Sequence, residues 1–275
     1  MQNVKKKNIA IKPVLLLLFM LMGTCMNAET NTAFQSGETL QYDLYYNWKF
    51  IWVKAGTASM SVTSTVYNGI PAYRTRLLTR GSSKADRFFV LRDTLTSVVS
   101  QMDIQPLYYS KTDLEGESYR QRNVWFSYKN GITSARQRYV NPDGEESWQT
   151  ETSYEPIYDM LSIMLRARSF DASQFKKGQK IEFMMTDGNG KSKQTLIYRG
   201  KKNIKMKNGS GSYDCLVLSF VEYENNKEKE VVTFYVTDDM NHIPVRLDLF
   251  LRIGTAKAYL VGSKNIRNPM NANKP

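Results

Sequence analysis

The chain has 275 residues, 41% hydrophobic and 12% aromatic, and its 38 Lys and Arg against 26 Asp and Glu give a formal net charge of +12. One histidine and two cysteines exclude a multi-histidine metal centre, an H-E-x-x-H motif and a disulfide framework. The positive charge is scattered and accompanies no recognisable nucleic-acid module, so nucleic acid is not expected as a partner.

Lys5, Lys6, Lys7 and Lys12 precede the apolar run PVLLLLFMLM (13–22), and the small and polar GTCMNAET follows. This layout predicts a secretory signal peptide over 1–28. The run is shorter than the ~20 apolar residues that span a bilayer. Two processing routes are open. Cleavage after Ala28 releases a soluble chain, although Met26 is large for its position. Alternatively MGTC serves as a lipobox and Cys25 becomes a lipidated N-terminus, although Thr24 departs from the usual Gly, Ala or Ser. The small-residue rule favours the soluble route. On the second route the lipid at Cys25 is the only membrane contact expected. After Ala28 the charge is +8, from 34 basic and 26 acidic residues. Its densest basic stretch, Arg74, Arg76, Arg80, Arg87 and Arg92, reads as solvated strand faces.

The first folded segment is YDLYYNWKFIWVKAG (42–56). By parity Leu40, Tyr42, Leu44, Tyr46, Trp48 and Phe50 share one face, and Asp43, Tyr45, Asn47 and Lys49 share the other. This is a half-buried strand. Gly56, Ala58, Met60 and Val62 continue the apolar face in the next strand. The alternation is lost at IWVK, where Gly56 suits a bulge or a close backbone approach. Tyr45 and Trp52 are the aromatics left for an outer surface.

Turn signals recur along the rest of the chain, at Asn68-Gly69, Asn130-Gly131, Asn141 to Gly144, Asp187 to Gly190, Asn208 to Gly211, Asn225-Asn226 and Asp238-Asp239. Alternating runs such as NVWFSYKN, EVVTFYVTD and PVRLDLFLRI lie between them. The pattern predicts an all-β, mainly antiparallel fold, a curved sheet or half-open barrel of roughly a dozen strands. One segment differs. SYEPIYDMLSIMLRARSF (153–170) places Ile157, Met160, Leu161, Met164 and Leu165 at helical spacing, with Ser153 as cap and Arg166 and Arg168 at the C-terminal end. It predicts one amphipathic helix over about 153–169, its apolar face on the sheet. A shorter helical turn is expected over 83–91. No linker interrupts 29–264, which reads as a single β-rich domain, and the polar KNIRNPMNANKP (264–275) puts a disordered tail at 265–275.

The residues offer little chemistry. Cys215 lies in an apolar strand and reads as a buried, inert thiol. His242 sits in a turn, and no G-x-S-x-G elbow accompanies it. The loop 187–192 lacks the upstream glycine of a phosphate loop and the ligands of a calcium loop. Asp113, Glu115 and Glu117 alternate along one strand and could serve glycan hydrolysis, and Asp238 and Asp239 are another acidic pair. No catalytic residue, metal site or cofactor is expected, so the chain reads as a non-enzyme.

Along the chain, GETLQYDLYYNWKFIWVKAGTASM, IQPLYYSKTDLEGESY, YDMLSIMLRAR and VTFYVTDDMNHIPVRLDLFLRIGTAKAYL together resemble the exported bacterial family called domain of unknown function 3108. Gly37-Glu38, Gly56, Pro106 and Ile243-Pro244-Val245-Arg246 carry the resemblance, which spans nearly all of the chain after residue 28. It implies an envelope protein of Gram-negative-type bacteria and brings no catalytic residues. A curved antiparallel sheet holding one helix is also similar in architecture to periplasmic lipoprotein carriers, and architecture does not fix function. The expected role is a non-catalytic envelope protein, periplasmic or outer-membrane-associated, that binds a lipid or other apolar segment in a concave sheet lined by Tyr42, Tyr46, Trp48, Phe50 and Met60. The alternative is a structural or protein-interaction module of an envelope assembly, with an envelope protein as partner. A glycan-acting enzyme ranks third.

Overall fold

The computed structural model describes residues 30–48, 51–83, 90–207, 211–225, 227–251 and 254–274. The expected signal peptide, Cys25, Phe50, the side chain of Trp48 and most of the helical turn at 83–91 lie outside the described residues.

Period-two alternation carries nearly all of the described chain into one sheet. Its strands are β1 (Thr39–Trp48), β2 (Ile51–Tyr67), β3 (Ile70–Gly81), β4 (Leu91–Ser100), β5 (Pro106–Glu115), β6 (Ser118–Lys129), β7 (Ile132–Val140), β8 (Glu146–Ser153) and β9 (Ile157–Tyr158). After the helix α1 (Met160–Arg168) come β10 (Lys180–Thr186), β11 (Lys191–Lys205), β12 (Ser212–Glu224), β13 (Lys227–Thr237), β14 (Pro244–Phe250), β15 (Thr255–Lys264) and β16 (Asn273–Lys274). Neighbours run from β8 down to β1, then from β15 down to β9, and β16 pairs with β12. The pairing is antiparallel except where β9 joins β10. Asn68 and Asn130, both at positive φ, open the two-residue turns that set the β2–β3 and β6–β7 registers.

The ends of the sheet meet, so it is nearly closed into a barrel. The Gln137 side-chain oxygen on β7 accepts hydrogen bonds from the Thr186 hydroxyl at 3.0 Å and the Gly190 amide at 2.9 Å, across from the β10–β11 turn. Lys191 reaches the β8 carboxylate of Glu151 at 3.5 Å. The loop at 187–192 is this hairpin turn.

Gly56 is where β2 can approach β3. A Cβ there would lie 2.2 Å from the Arg80 carbonyl oxygen, beside the register shift at Leu44/Tyr45. Gly56→Ala is therefore expected to lower stability by about 1–3 kcal/mol through forced separation of the strands. A urea midpoint equal to that of the wild type would show that the spacing yields freely.

The helix differs from expectation at its start and in its surroundings. Sheet pairing claims Ile157 and Tyr158 as β9, so the helix begins after Asp159 and not near Ser153. Asp159 caps it, accepting from the amides of Leu161 at 2.9 Å and Ser162 at 3.0 Å, and the Ser162 hydroxyl accepts the Asp159 amide in return. Leu165 packs with Leu40, Tyr42, Met60, Val62 and Leu260. Ile163 packs with Phe183, Leu196 and Leu218, and Leu161 with Tyr109, Val124 and Phe126. The helix thus meets inward-facing residues on several walls. It plugs one end of the barrel instead of lying with one face on a sheet.

The C-terminal segment is placed, contrary to the expected disorder over 265–275. Polar side chains tie it down. Asn241 donates to the Asn268 carbonyl at 3.0 Å, Arg267 donates to the Asn31 carbonyl at 2.8 Å, and the Ala272 amide donates to Asp239 at 3.2 Å. Ala272 is buried, and Ile266 and Met270 pack on the core.

Candidate functional site

The inward face of the barrel divides into a plugged end and an accessible end. At the plugged end, Glu38 and Arg168 form a buried ion pair with oxygen–nitrogen distances of 2.5 and 2.9 Å. Arg168 Nε donates to the Asn241 carbonyl at 3.0 Å, and the guanidinium lies over the Phe34 ring at 5.6 Å. His242 Nδ1 lies 2.6 Å from the Arg168 carbonyl oxygen. The Tyr42 hydroxyl donates to the Pro244 carbonyl at 2.9 Å, and burial raises its pKa. These contacts join helix, β1 and the β13–β14 turn. They bring Arg168 at the helix end, His242 in its turn and Tyr42 of the expected lining into one region of contacts.

Of the residues named from sequence as a ligand lining, Tyr42 and Met60 sit in the packed core at 6% and 3% exposure. Tyr46 faces inward and is half-buried, one layer toward the other end. The accessible wall lies farther along the same strands. Leu44, Val232, Phe234, Leu247, Leu249 and Ala256 face inward by register, and all keep partial exposure. Parity along β1 points Leu44 and Tyr46 inward, whereas β13 and β14 join this wall only through long-range strand pairing.

The facing strands β3–β6 carry a polar row. Thr79, Asp93, Asp113 and Arg120 are successive cross-strand partners. Asp113 is 1% exposed and held by Arg122 at 2.7 Å, Arg120 at 3.1 Å and Lys111 at 3.7 Å. Asp93 is less well supported. Burial first, and then the nearby Asp113 and Glu115 against Lys111 and Arg122, push its pKa up to about 6. Its Oδ1, the Arg122 Nε and the Tyr109 hydroxyl are buried without hydrogen-bond partners among the described residues. Such groups are costly unless something polar meets them. Asp113 and Glu115 do share a face, as their alternation implies, whereas Glu117 is exposed in the β5–β6 turn. Asp93 was not visible as a partner, because only the β4–β5 register brings it there.

Cys215 is a buried free thiol whose pKa is pushed up to about 12 by burial and by Asp214, Asp238 and Asp239. The outer wall carries the row Tyr67, Tyr108, Trp125 and Trp148, with ring centroids 5.5–6.1 Å apart. Arg136 lies 4.3 Å over Trp148. The ring faces meet one another and this guanidinium, an arrangement of packing more than of a sugar platform.

No curated protein matches the chain. Among solved structures it is similar to a β-barrel-like protein of domain of unknown function DUF1849 from Brucella abortus, at 10% identity and a TM-score of 0.52, covering 83% of this chain and 97% of that one. A protein with a YmcC-like fold from Bacteroides fragilis aligns at 8% identity and a TM-score of 0.35, over 86% and 99% of the two chains. The first likeness agrees with the barrel-like architecture. The family model for Protein of unknown function (DUF3108) matches residues 41–261, nearly the whole of the described barrel, and the chain belongs to that family.

Proposed function

We propose that this protein is a non-catalytic envelope protein that takes an amphipathic, single-chain lipid into the accessible end of its barrel. One observation carries the reading: Leu44, Val232, Phe234, Leu247, Leu249 and Ala256 point inward yet stay partly exposed. Eight strands already enclose an interior that side chains fill, so a nearly closed sheet of fifteen with a nine-residue plug leaves room. An acyl chain would cover the apolar wall. Its head group would meet the facing wall beside Asp93 and Arg122, where the Asp93 Oδ1 and the Arg122 Nε have no hydrogen-bond partner among the described residues. Asp113, tied to three cations, is read as part of the polar wall and not as an acid–base group.

Fluorescence of cis-parinaric acid titrated into the purified protein tests the reading. Saturable binding is expected. Val232→Trp, which enlarges a wall residue, should weaken it about tenfold or more, the loss that corresponds to ~1.4 kcal/mol. Absence of saturable binding, or equal binding by the variant, would count against the site.

A further inference from the structure

The rim of the accessible end differs from the rest of the surface. The hairpins β1–β2 and β14–β15 are neighbours, because β1 pairs with β15. Their ends expose four apolar side chains, Ile51 at 65%, Val53 at 45%, Phe250 at 43% and Leu251 at 47%. Just behind them on the outer wall lie the rings of Trp52, Tyr45 and Tyr259, with Tyr45 and Tyr259 edge to face at 5.8 Å. Cations crowd these rings. Lys207 Nζ lies 3.4 Å from the Tyr45 centroid and Lys257 Nζ 4.6 Å from that of Trp52. Trp52, Lys205, Lys207, Lys257 and Tyr259 line one shallow depression of about 220 Å³.

Lys205 and Lys207 arrive from a distant part of the chain. The strands β11 and β12 run past the end of β13 at Thr237, and Ile204, Met206 and Tyr213 join the core cluster that includes Tyr235 and Tyr259. This lower hairpin therefore lies over the outer wall and brings its lysines to the rim. The nearby carboxylates are already engaged. Asp43 holds Lys54 at 2.7 Å, and Asp248 holds Arg246 through two bonds of 2.6 and 2.7 Å. Burial, and then the charges of Arg246 and Lys207, lower the pKa of Lys257. Asp248 faces Lys257 across the strands but is bonded to Arg246, so the patch keeps a surplus of positive charge.

We propose that this rim docks on a bilayer surface containing anionic phospholipid. Ile51, Val53, Phe250 and Leu251 would enter the acyl boundary, Trp52, Tyr45 and Tyr259 would sit at head-group depth, and Lys205, Lys207 and Lys257 would meet the phosphates. The order along the barrel fits a membrane interface. Ile51 and Lys54 are separated by about 10 Å of strand. Aromatic rings favour the interface, and apolar residues beyond them favour the acyl region. Each lysine near an anionic surface contributes about 1 kcal/mol. This contact is separate from any lipid at Cys25 and does not require a ligand inside the barrel.

Sedimentation of the full chain with vesicles tests it, comparing phosphatidylcholine alone with a mixture holding about 30% phosphatidylglycerol. Preference for the anionic vesicles is expected. Lys205→Ala with Lys257→Ala should weaken that binding about 30-fold. Ile51→Ser with Leu251→Ser should weaken it also, and should reduce quenching of tryptophan fluorescence by brominated lipid. Trp52→Phe should reduce that quenching in part, since Trp48 ends β1 opposite Ile51 at the same rim. Thermal melts identify any variant that fails to fold. Equal binding by both folded double variants would place the contact elsewhere, for example on the apolar run 13–22, and would overturn the proposal. Competition by millimolar inorganic phosphate as effective as that by vesicles would overturn it in favour of a soluble anion. Val232→Trp should leave vesicle binding unchanged, so loss of the interior site and loss of the docking rim give different results.

Discussion

Replacing Arg168 by methionine is expected to cost about 3–5 kcal/mol of stability, because it leaves Glu38 buried at 1% exposure without its partner. The pair itself need not be strongly stabilising, since two charges are withdrawn from water to form it. The asymmetry lies in breaking it. Glu38→Leu combined with Arg168→Met removes both charges and should recover much of the loss. Recovery should stop short by about 1–3 kcal/mol, because Arg168 also donates to the carbonyl of the fully buried Asn241. The urea midpoints of Glu38→Leu alone, Arg168→Met alone and the double variant, read with the wild type as a double-variant cycle, give the coupling directly. A midpoint for Arg168→Met within about 1 kcal/mol of wild type would mean that water reaches Glu38 and that the plugged end is loose. The pair also fixes the end of the helix, since Arg168 closes its last turn. Its loss should therefore loosen the plug that separates the two ends of the barrel.

Local pattern in the sequence revealed the strands, the central turns of the helix and the inward parity of Leu40, Tyr42, Leu44 and Met60. These depend on residues two to four apart, where side-chain direction is set by backbone geometry. What stayed hidden depends on register between distant strands. Glu38 meets Arg168 across 130 positions. Asp93 faces Asp113 only through the β4–β5 pairing, and Gln137 closes the barrel against Thr186 and Gly190. The residues that carried the family resemblance have structural roles. Glu38 pairs with Arg168, Gly56 permits close strands, the Pro106 carbonyl accepts the Tyr128 hydroxyl at 2.6 Å, and the Pro244 carbonyl accepts that of Tyr42. Two residues of the expected lining are covered for the same reason. Tyr42 and Met60 do face inward, but the helix that covers them comes from another part of the chain. The tail misled because it is held by asparagine side chains bonded to main-chain groups, which leave no hydrophobic period.

Asp159 should make the fold more stable below about pH 6 than above it. Its carboxyl is fully buried between β4 and the helix it caps. Burial raises its pKa to about 6, and hydrogen bonds from Ser162, Ser97 and Leu161 offset only part of that shift. In the unfolded chain the group titrates near the ordinary value of about 3.9. Between those values the unfolded chain has already released a proton that the folded chain keeps. Stability therefore falls as pH rises through that window and levels off above it. A shift of about two units corresponds to ~3 kcal/mol. Asp93 contributes in the same direction, by less, because it is partly exposed. Asp159→Asn isolates the capping group. Asparagine is an equally good cap, and the Ser97 hydroxyl can turn to accept from its amide. The stability of this variant relative to wild type should rise by about 2–3 kcal/mol between pH 4 and pH 7, and its own curve should keep only the smaller slope from Asp93. Asp159→Ala, which loses the cap at every pH, should instead cost about 1–2 kcal/mol at pH 4, where the wild-type carboxyl is uncharged. A constant offset between Asp159→Asn and wild type across that range would show that the buried carboxyl does not titrate there. The charge would then be compensated, and the interior around the plug more polar than its packing implies.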